Sequence, residues 1–274
     1  MRATAVILWS AAVMTGMAIG SVRADPAADP LRSVAWPDIQ ARYFAGAPIV
    51  FDDRVKVSVP SIVENQAQVP VTVDARGLAG VRQVVVITDL NPIQKVLTLT
   101  PVAADAFIAF RMKVEQGTPV RAAALTSDGV WHIGGVYLDA AGGGCSAPAV
   151  ARGEANWSET VGRTQGRVWR NADGSARVGL RIRHPMDTGL ARDNTPAFFI
   201  ERLDLRSPSG VPLAGLELFE PVSEDPTLTL EVRLPVADTA LIVTGRDNNG
   251  GEYHAKLPAG WRQSALPSAE SATR

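Results

Sequence analysis

The sequence predicts an all-β protein with two β-sandwich domains in tandem, preceded by a signal peptide and a short helix. Two stretches, 50–145 and 158–262, alternate apolar and polar residues with a period of two, which puts one face of each strand in a core. The first stretch holds roughly seven short strands, which is typical of a sandwich. Residues 146–157 lack a strand pattern and predict a linker. Residues 263–274, rich in Pro, Ser and Ala, predict a disordered tail.

Residues 1–24 have the pattern of a signal peptide. Arg2 supplies a positive charge, 5–19 is apolar and uncharged, and 22–24 ends with a small residue, as signal peptidase requires. A retained membrane anchor is the alternative, but the apolar stretch is shorter than the about 20 residues that a span needs. No later stretch is apolar enough to span a bilayer, so we expect an exported, periplasmic protein without a membrane contact.

Residues 25–49 form an N-terminal extension in which one short helix is predicted. Pro37 suits the first helical turn, and Trp36, Ile39 and Tyr43 fall on one face. A partly helical tail is the alternative.

The first domain shows its strands by alternation. Residues 55–59, 69–73 and 110–114 place Val, Phe and Met on one face and polar side chains, including Lys113, on the other. Residues 84–87 are continuously apolar and suit a central strand. The last strand is predicted at 136–139.

The second domain continues the same pattern. The apolar residues at 178, 180 and 182 alternate with arginines at 177, 181 and 183. Residues 228–234 predict another half-buried strand. Residues 241–243 are apolar, and the Asn249-Gly250 pair predicts a tight hairpin turn.

The single cysteine, Cys145, follows Gly142, Gly143 and Gly144. An exported chain with one cysteine cannot close an internal disulfide, so the thiol is free, capped or bonded to another molecule. The glycines predict a flexible, exposed segment, and hence a tethered thiol that visits other molecules. The alternative is an incidental cysteine in a Gly-rich linker. An exposed thiol should also give a disulfide-linked homodimer on oxidation.

Several strings carry a resemblance to known families. They are 55–57, 69–73, 91–92, 120–129 and the glycine-cysteine ending in the first domain, and 181–190, 196–200 and 247–251 in the second. The first domain resembles the carrier subunit SoxY of thiosulfate oxidation, and the second resembles its partner SoxZ. The most specific string is His-Pro-Met-x-Thr-Gly. The whole chain resembles the fused SoxYZ-like carriers associated with quinoprotein dehydrogenases.

The resemblance implies two immunoglobulin-like sandwiches that pack on each other. It implies that Cys145 is a carrier cysteine, that 142–144 is its swinging arm, and that periplasmic redox enzymes receive the sulfur intermediate. Ser146 stands where the family has a glycine, and the arm lies inside the chain. An internal loop would enter a partner as two chain segments side by side, which need a wider channel than one strand. We therefore expect Cys145 to be presented at a shallow cleft.

The arginines of the second domain have two interpretations. Residues 162–184 hold six arginines and one acid, Asp173; the arginines are at 163, 167, 170, 177, 181 and 183. They could form a basic face that attracts an acidic partner or an anionic sulfur compound. The alternative is the solvent side of ordinary strands.

Composition and motifs exclude several functions. The net charge of -1 argues against a nucleic-acid partner. His132, His184 and His254 have no metal-ligand spacing. His184 and Met186 could be copper ligands, but the proline between them favours a turn. No cofactor is predicted.

Two functions therefore remain for a chain that we expect not to be an enzyme. It is a thiol carrier with a sulfur adduct on Cys145, or an accessory module that docks on a quinoprotein dehydrogenase and uses Cys145 for anchoring or not at all. A hydrolase or oxidoreductase lacks support, since the chain has neither a nucleophile elbow nor a nucleotide-binding glycine pattern.

Overall fold

The computed structural model describes residues 28–44 and 46–261. The predicted signal peptide and the predicted tail lie outside the described residues. In the first half the elements are α1 (Trp36–Tyr43), β1 (Ile49–Phe51), β2 (Lys56–Ser58), β3 (Val69–Asp74), β4 (Val81–Thr88), β5 (Lys95–Pro101), β6 (Ala104–Met112), β7 (Thr118–Thr126) and β8 (Trp131–Leu138). The predicted last strand is thus longer than expected and begins at Trp131.

The second half begins with a 3-10 helix (Val150–Gly153) and α2 (Trp157–Thr160). Its strands are β9 (Thr164–Arg170), β10 (Ala176–Ile182), β11 (Ile200–Arg206), β12 (Pro212–Leu218), β13 (Thr227–Val232), β14 (Ala240–Asp247) and β15 (Glu252–Trp261). The hairpin predicted at Asn249-Gly250 connects β14 and β15. In the described part of the chain, no helix has the length and apolarity needed to cross a bilayer.

The strands form two sheets with a shared core, which confirms the predicted all-β, immunoglobulin-like sandwich architecture. One sheet has the order β1-β8-β7-β4-β5-β12-β11-β14-β15, the other has the order β9-β10-β13-β6-β3-β2, and the short pairing of β15 with β9 joins them into a continuous series of 15 strands. Neighbouring strands are antiparallel except for β1 with β8 and β15 with β9. The apolar stretch 84–87 lies in β4, between β5 and β7, as predicted for a central strand.

The two halves of the chain are joined by strand pairing. Strand β5 pairs with β12, where Leu99 is opposite Leu216, and β6 pairs with β13, where Ile108 is opposite Leu230. Each sheet therefore continues from one half into the other. One hydrophobic cluster contains these four side chains. The expected packing of the halves is confirmed, and backbone hydrogen bonds hold it in both sheets.

The N-terminal extension packs on the first sheet through α1. Trp36 and Ile39 are buried, as the predicted helix face requires. The buried guanidinium of Arg121 donates to both carboxylate oxygens of Asp29, at 2.7 and 2.8 Å, and to those of Asp89 at 2.9–3.0 Å. The Cζ atom of the Arg121 guanidinium lies 4.5 Å from the centroid of the Trp36 ring. These contacts make the extension part of the fold.

Candidate functional site

The thiol of Cys145 is buried, with no exposed surface. The prediction of an exposed thiol is therefore wrong for this conformation. After β8 the chain turns back along the residues that follow β6, and the Gly143 and Gly144 amides donate to the carbonyls of Glu115 and Val114, at 3.1 and 2.9 Å. The segment thus adds a short backbone ladder to the sandwich.

The glycines permit this close packing and do not form a free arm. A Cβ at Gly142 would lie 2.2 Å from the carbonyl oxygen of Glu115, and one at Gly144 would lie 2.1 Å from that of Gln66. Gly142 also has a φ of 102°, which favours glycine. The prediction of a flexible arm at Gly142, Gly143 and Gly144 considered local backbone freedom alone. It missed the backbone that the segment contacts.

The Glu115 carboxylate holds the backbone around the thiol. It accepts hydrogen bonds from the Cys145 amide at 3.0 Å, the Ser146 amide at 3.1 Å and the Ser146 hydroxyl at 3.0 Å. From the second half, the Thr188 hydroxyl donates to the Cys145 carbonyl at 2.6 Å. Thr188 belongs to the His-Pro-Met-x-Thr-Gly string, so the most specific sequence motif contacts the cysteine directly.

Lys113 is the second charged group at this site. Its ammonium is buried and donates to the carbonyl of Met186 and, at 3.4 Å, to that of Glu220. The alternation of 110–114 predicted Lys113 on the water side, and this is wrong because the second half of the chain covers Lys113, although it leaves Arg111 exposed. Burial lowers the pKa of Lys113 to about 8, while the nearby Asp187 and Glu224 carboxylates act in the opposite direction.

The environment keeps the thiol protonated. Burial, and secondly the Glu115 carboxylate, raise the pKa of Cys145 to about 12, while Lys113 acts in the opposite direction. The thiolate is the nucleophile in thiol chemistry. In this conformation the Cys145 thiol is therefore both inaccessible and neutral at physiological pH.

The predicted linker 146–157 is packed against the second half of the chain. The amides of Val150 and Ala151 donate to the Glu224 carboxylate at 2.8 and 2.6 Å, and Arg152 donates to Asp187 at 2.6–2.8 Å. The sequence indicated no strand in 146–157, and the amides of this segment find side-chain partners instead of strand partners.

His184 and Met186 make structural contacts. The Met186 amide donates to His184 Nδ1 at 3.0 Å, which leaves the proton on Nε2, 4.0 Å from a carboxylate oxygen of Asp247. Burial lowers the pKa of His184 to about 4. His132 lies elsewhere, 2.8 Å from Asp52, and His254 is exposed on β15. Within 28–44 and 46–261, no cluster of three or more His, Cys, Asp or Glu could hold a metal.

The arginines divide between the two faces of β9 and β10. Residues with odd numbers face outward, including Arg167, Arg177 and Arg181, and the strand register places Gln165 opposite Arg181. Arg170 is buried and donates to the carbonyl of Leu234 at 3.0 Å. The outward arginines are thus on the solvent side of strands, as one interpretation expected, and they also form a basic surface.

Comparison with known proteins identifies both halves. The family model described as sulfur oxidation protein SoxY matches residues 40–145, and that described as sulphur oxidation protein SoxZ matches residues 167–258. The chain is a SoxYZ-like fusion. The SoxY match ends on Cys145. Lys113, Glu115 and Thr188, which surround this cysteine in the SoxYZ-like fusion, were not predicted as site residues, because their partners come from distant segments.

Several solved structures are also similar to this chain, at low sequence identity. The sulfur carrier protein SoxY from Chlorobium limicola f thiosulfatophilum has 20% identity and a TM-score of 0.35, covering 39% of this chain and 91% of that one. The Amycolatopsis orientalis exo-chitosanase CsxA has 11% identity and a TM-score of 0.24, covering 73% of this SoxYZ-like fusion and 26% of its own length. A search of curated proteins found no match.

Proposed function

We propose that this SoxYZ-like fusion is a periplasmic carrier that holds a sulfur intermediate covalently on Cys145 and presents it to partner redox enzymes. The observation that carries the proposal is the end of the SoxY match on the only cysteine of the chain, where the SoxZ half closes over it. A carrier needs a covalent attachment point that two partners can reach in turn, and a residue at the junction of the halves suits this role.

Carrier activity requires a second conformation in which the thiol is exposed. The 142–153 segment is held by hydrogen bonds to Glu115, Thr188 and Glu224 and by the ion pair of Arg152 with Asp187. These side chains range from buried, for Thr188 and Asp187, to half-buried, for Glu115 and Glu224, and each contact contributes about 1 kcal/mol. Release of the segment therefore leaves the hydrophobic core of the sandwich intact and restores an ordinary thiol pKa.

The loading reaction follows from the chemistry of an exposed thiol. Attachment of thiosulfate forms a sulfur–sulfur bond to Cys145 and releases the thiol proton and two electrons. A partner oxidoreductase accepts those electrons, so the SoxYZ-like fusion carries the product and the partner is the enzyme. A thiolate of a second partner then attacks the adduct sulfur that is bonded to Cys145 Sγ, takes over the adduct and leaves Cys145 as a thiolate.

Tetrathionate tests this proposal without an enzyme. The Cys145 thiolate attacks a central sulfur of tetrathionate, forms the adduct Cys145 Sγ–S–SO₃⁻ and displaces thiosulfate, which balances the exchange. Intact-mass spectrometry should show a gain of one S₂O₃ unit in the wild type, reversible with reductant, and no gain in Cys145→Ser. A wild type that stays unmodified after prolonged incubation at pH 8 would overturn the carrier proposal.

The buried thiol also favours a second candidate, a non-catalytic module that docks on a periplasmic quinoprotein dehydrogenase. In that case the Cys145 segment is a fixed part of the fold, and its raised pKa protects it from oxidation. Intact mass of protein purified from its own periplasm distinguishes the candidates. Sulfur adducts favour the carrier, whereas a uniformly unmodified thiol with full partner binding favours the module.

A further inference from the structure

We propose that a cavity on the outer face of β9 and β10 binds a tetrahedral sulfur oxyanion of the thiosulfate or sulfate type. The cavity has a volume of about 250 Å³ and is lined by Thr160, Arg163, Gln165, Arg181 and Arg183. All five side chains carry hydrogen-bond donors, and three of them are guanidinium groups. Guanidinium is planar and matches oxyanions with paired N–H donors.

The strand register brings these donors together. Gln165 is opposite Arg181, and the Arg183 amide donates to the Arg163 carbonyl at 2.9 Å, so Arg163 and Arg183 are the next outward pair. Opposite side chains on one face of an antiparallel pair have Cβ atoms about 5 Å apart. Thr160 closes the cavity from the end of α2.

The cavity has more positive than negative charge. The Asp225 carboxylate lies between Arg181 and Arg183, at 2.6 Å from each, and its other oxygen accepts from the His184 amide at 3.0 Å. Both oxygens of Asp225 therefore already have partners within the fold. In the described part of the chain, no acidic side chain forms an ion pair with the exposed Arg163. An incoming anion would find Arg163 available.

Glu154 forms an ion pair with one of the guanidinium groups that line the cavity. Its carboxylate lies against Nη2 of Arg183, although its side chain is 58% exposed. The Nη2 atom is buried, and the Glu154 carboxylate is its acidic partner. An oxyanion would replace this carboxylate as the partner of Nη2 and displace Glu154 into solvent. Since Glu154 follows the 142–153 segment, anion binding would also remove one contact that holds the thiol segment in place.

The choice of a sulfur oxyanion rests on the proposed function, whereas the cavity and its charges do not. Calorimetric titration of thiosulfate into the full mature chain at constant ionic strength tests the site, with Cys145→Ser present throughout to prevent covalent loading. We expect saturable binding at one site. Arg163→Gln should weaken the affinity about tenfold, the loss of one charge-assisted hydrogen bond, and Glu154→Gln should strengthen it.

Arg177→Gln is the matched control. Arg177 is on the same outward face and loses the same charge, but it lies six positions from Arg183, about 20 Å along the strand. It should leave the affinity within twofold. Equal losses in Arg163→Gln and Arg177→Gln, or titrations without saturation, would overturn the site, and the face would then be a diffuse basic surface for an acidic protein.

Sulfate that binds as tightly as thiosulfate agrees with the proposal, because the site is assigned to the tetrahedral oxyanion class. The two proposals also fail separately. Saturable thiosulfate binding with no tetrathionate loading would refute the carrier and keep the cavity site. Loading of Cys145 without reversible thiosulfate binding would refute the cavity site and keep the carrier.

Discussion

Replacement of Glu115 by alanine should release the thiol segment without unfolding the sandwich. The carboxylate accepts three hydrogen bonds, from the Cys145 amide and from the amide and hydroxyl of Ser146. Glu115 is half-buried, and its side chain contributes nothing to the hydrophobic clusters. The substitution therefore acts on the balance between the closed and open segment.

The magnitude follows from those three bonds. At about 1 kcal/mol each for a half-exposed group, their loss favours the open segment by about 3 kcal/mol. Since 1.4 kcal/mol is tenfold, the population of the open segment should rise about a hundredfold. The closed thiol adds little to the reaction, because a pKa raised to about 12 makes its thiolate about a thousandfold rarer than that of an ordinary cysteine.

Thiol labelling measures this population. With dithionitrobenzoate in excess at pH 8, the labelling rate is the open fraction multiplied by the rate for a free thiol, provided that closing is faster than labelling. The wild type should be labelled slowly, and Glu115→Ala about a hundred times faster. Gln116→Ala is the control. Gln116 is next to Glu115 in the sequence, but its side-chain amide donates to the Leu90 carbonyl at 2.7 Å and not to the thiol segment.

Two results would refute this reasoning. A Glu115→Ala rate within threefold of the wild type would mean that the carboxylate does not hold the segment. A wild type that is labelled as fast as a free thiol would mean that the buried position of Cys145 is rarely occupied in solution.

Four further predictions concern the same regions. Gly144→Ala should accelerate labelling more than Gly143→Ala, since only the former places a Cβ against backbone atoms, whereas the latter costs about 1 kcal/mol for its φ of 85°. Mild oxidation with diamide should give a disulfide-linked homodimer through Cys145, slowly in the wild type. From pH 9 to 10.5 the free energy of unfolding should fall more steeply in Lys113→Met than in the wild type. The Cys145 thiol ionises in this range in the unfolded chain but not in its buried position, so rising pH favours unfolding. In the wild type, Lys113 has lost its proton in the folded state but keeps it in the unfolded chain, and this difference opposes the effect of the thiol. Because the pKa of His184 is lowered to about 4, its imidazole gains a proton in the unfolded chain but not in the folded one when the pH falls from 7 to 5. The free energy of unfolding should therefore fall by about 2 kcal/mol over this range, and by less in His184→Phe.

Each of these has a simple measurement and a contrary outcome. Equal labelling of the two alanine variants would contradict the packing of the glycines. Non-reducing electrophoresis without a dimer band after long oxidation would show that the thiol segment does not open. Denaturant midpoints with the same pH slope in Lys113→Met and the wild type, or in His184→Phe and the wild type, would show that these groups do not titrate as their burial requires.

The sequence by itself determined the strand pattern and the family. Alternation with a period of two depends on neighbours along one chain, so the strands around Val71, Val178 and Leu230 were predicted from local patterning. The helix at Trp36 and the hairpin at Asn249-Gly250 were equally local, because caps and turns are encoded in a few adjacent residues. The SoxY-like and SoxZ-like strings identified the halves for the same reason.

Only the tertiary structure decided the state of Cys145. Three glycines before a cysteine permit both a free arm and a tightly packed turn, and the choice depends on whether another backbone is near. Here the residues after β6 supply that backbone, Glu115 supplies the acceptors, and the second half of the chain covers Lys113. Glu115 lies 30 residues before Cys145 in the same half, whereas Met186, which contacts Lys113, comes from the second half and is brought close by the strand pairing between the halves. The residues next to Cys145 in the sequence do not encode such contacts, so the burial of the thiol could not be predicted from them.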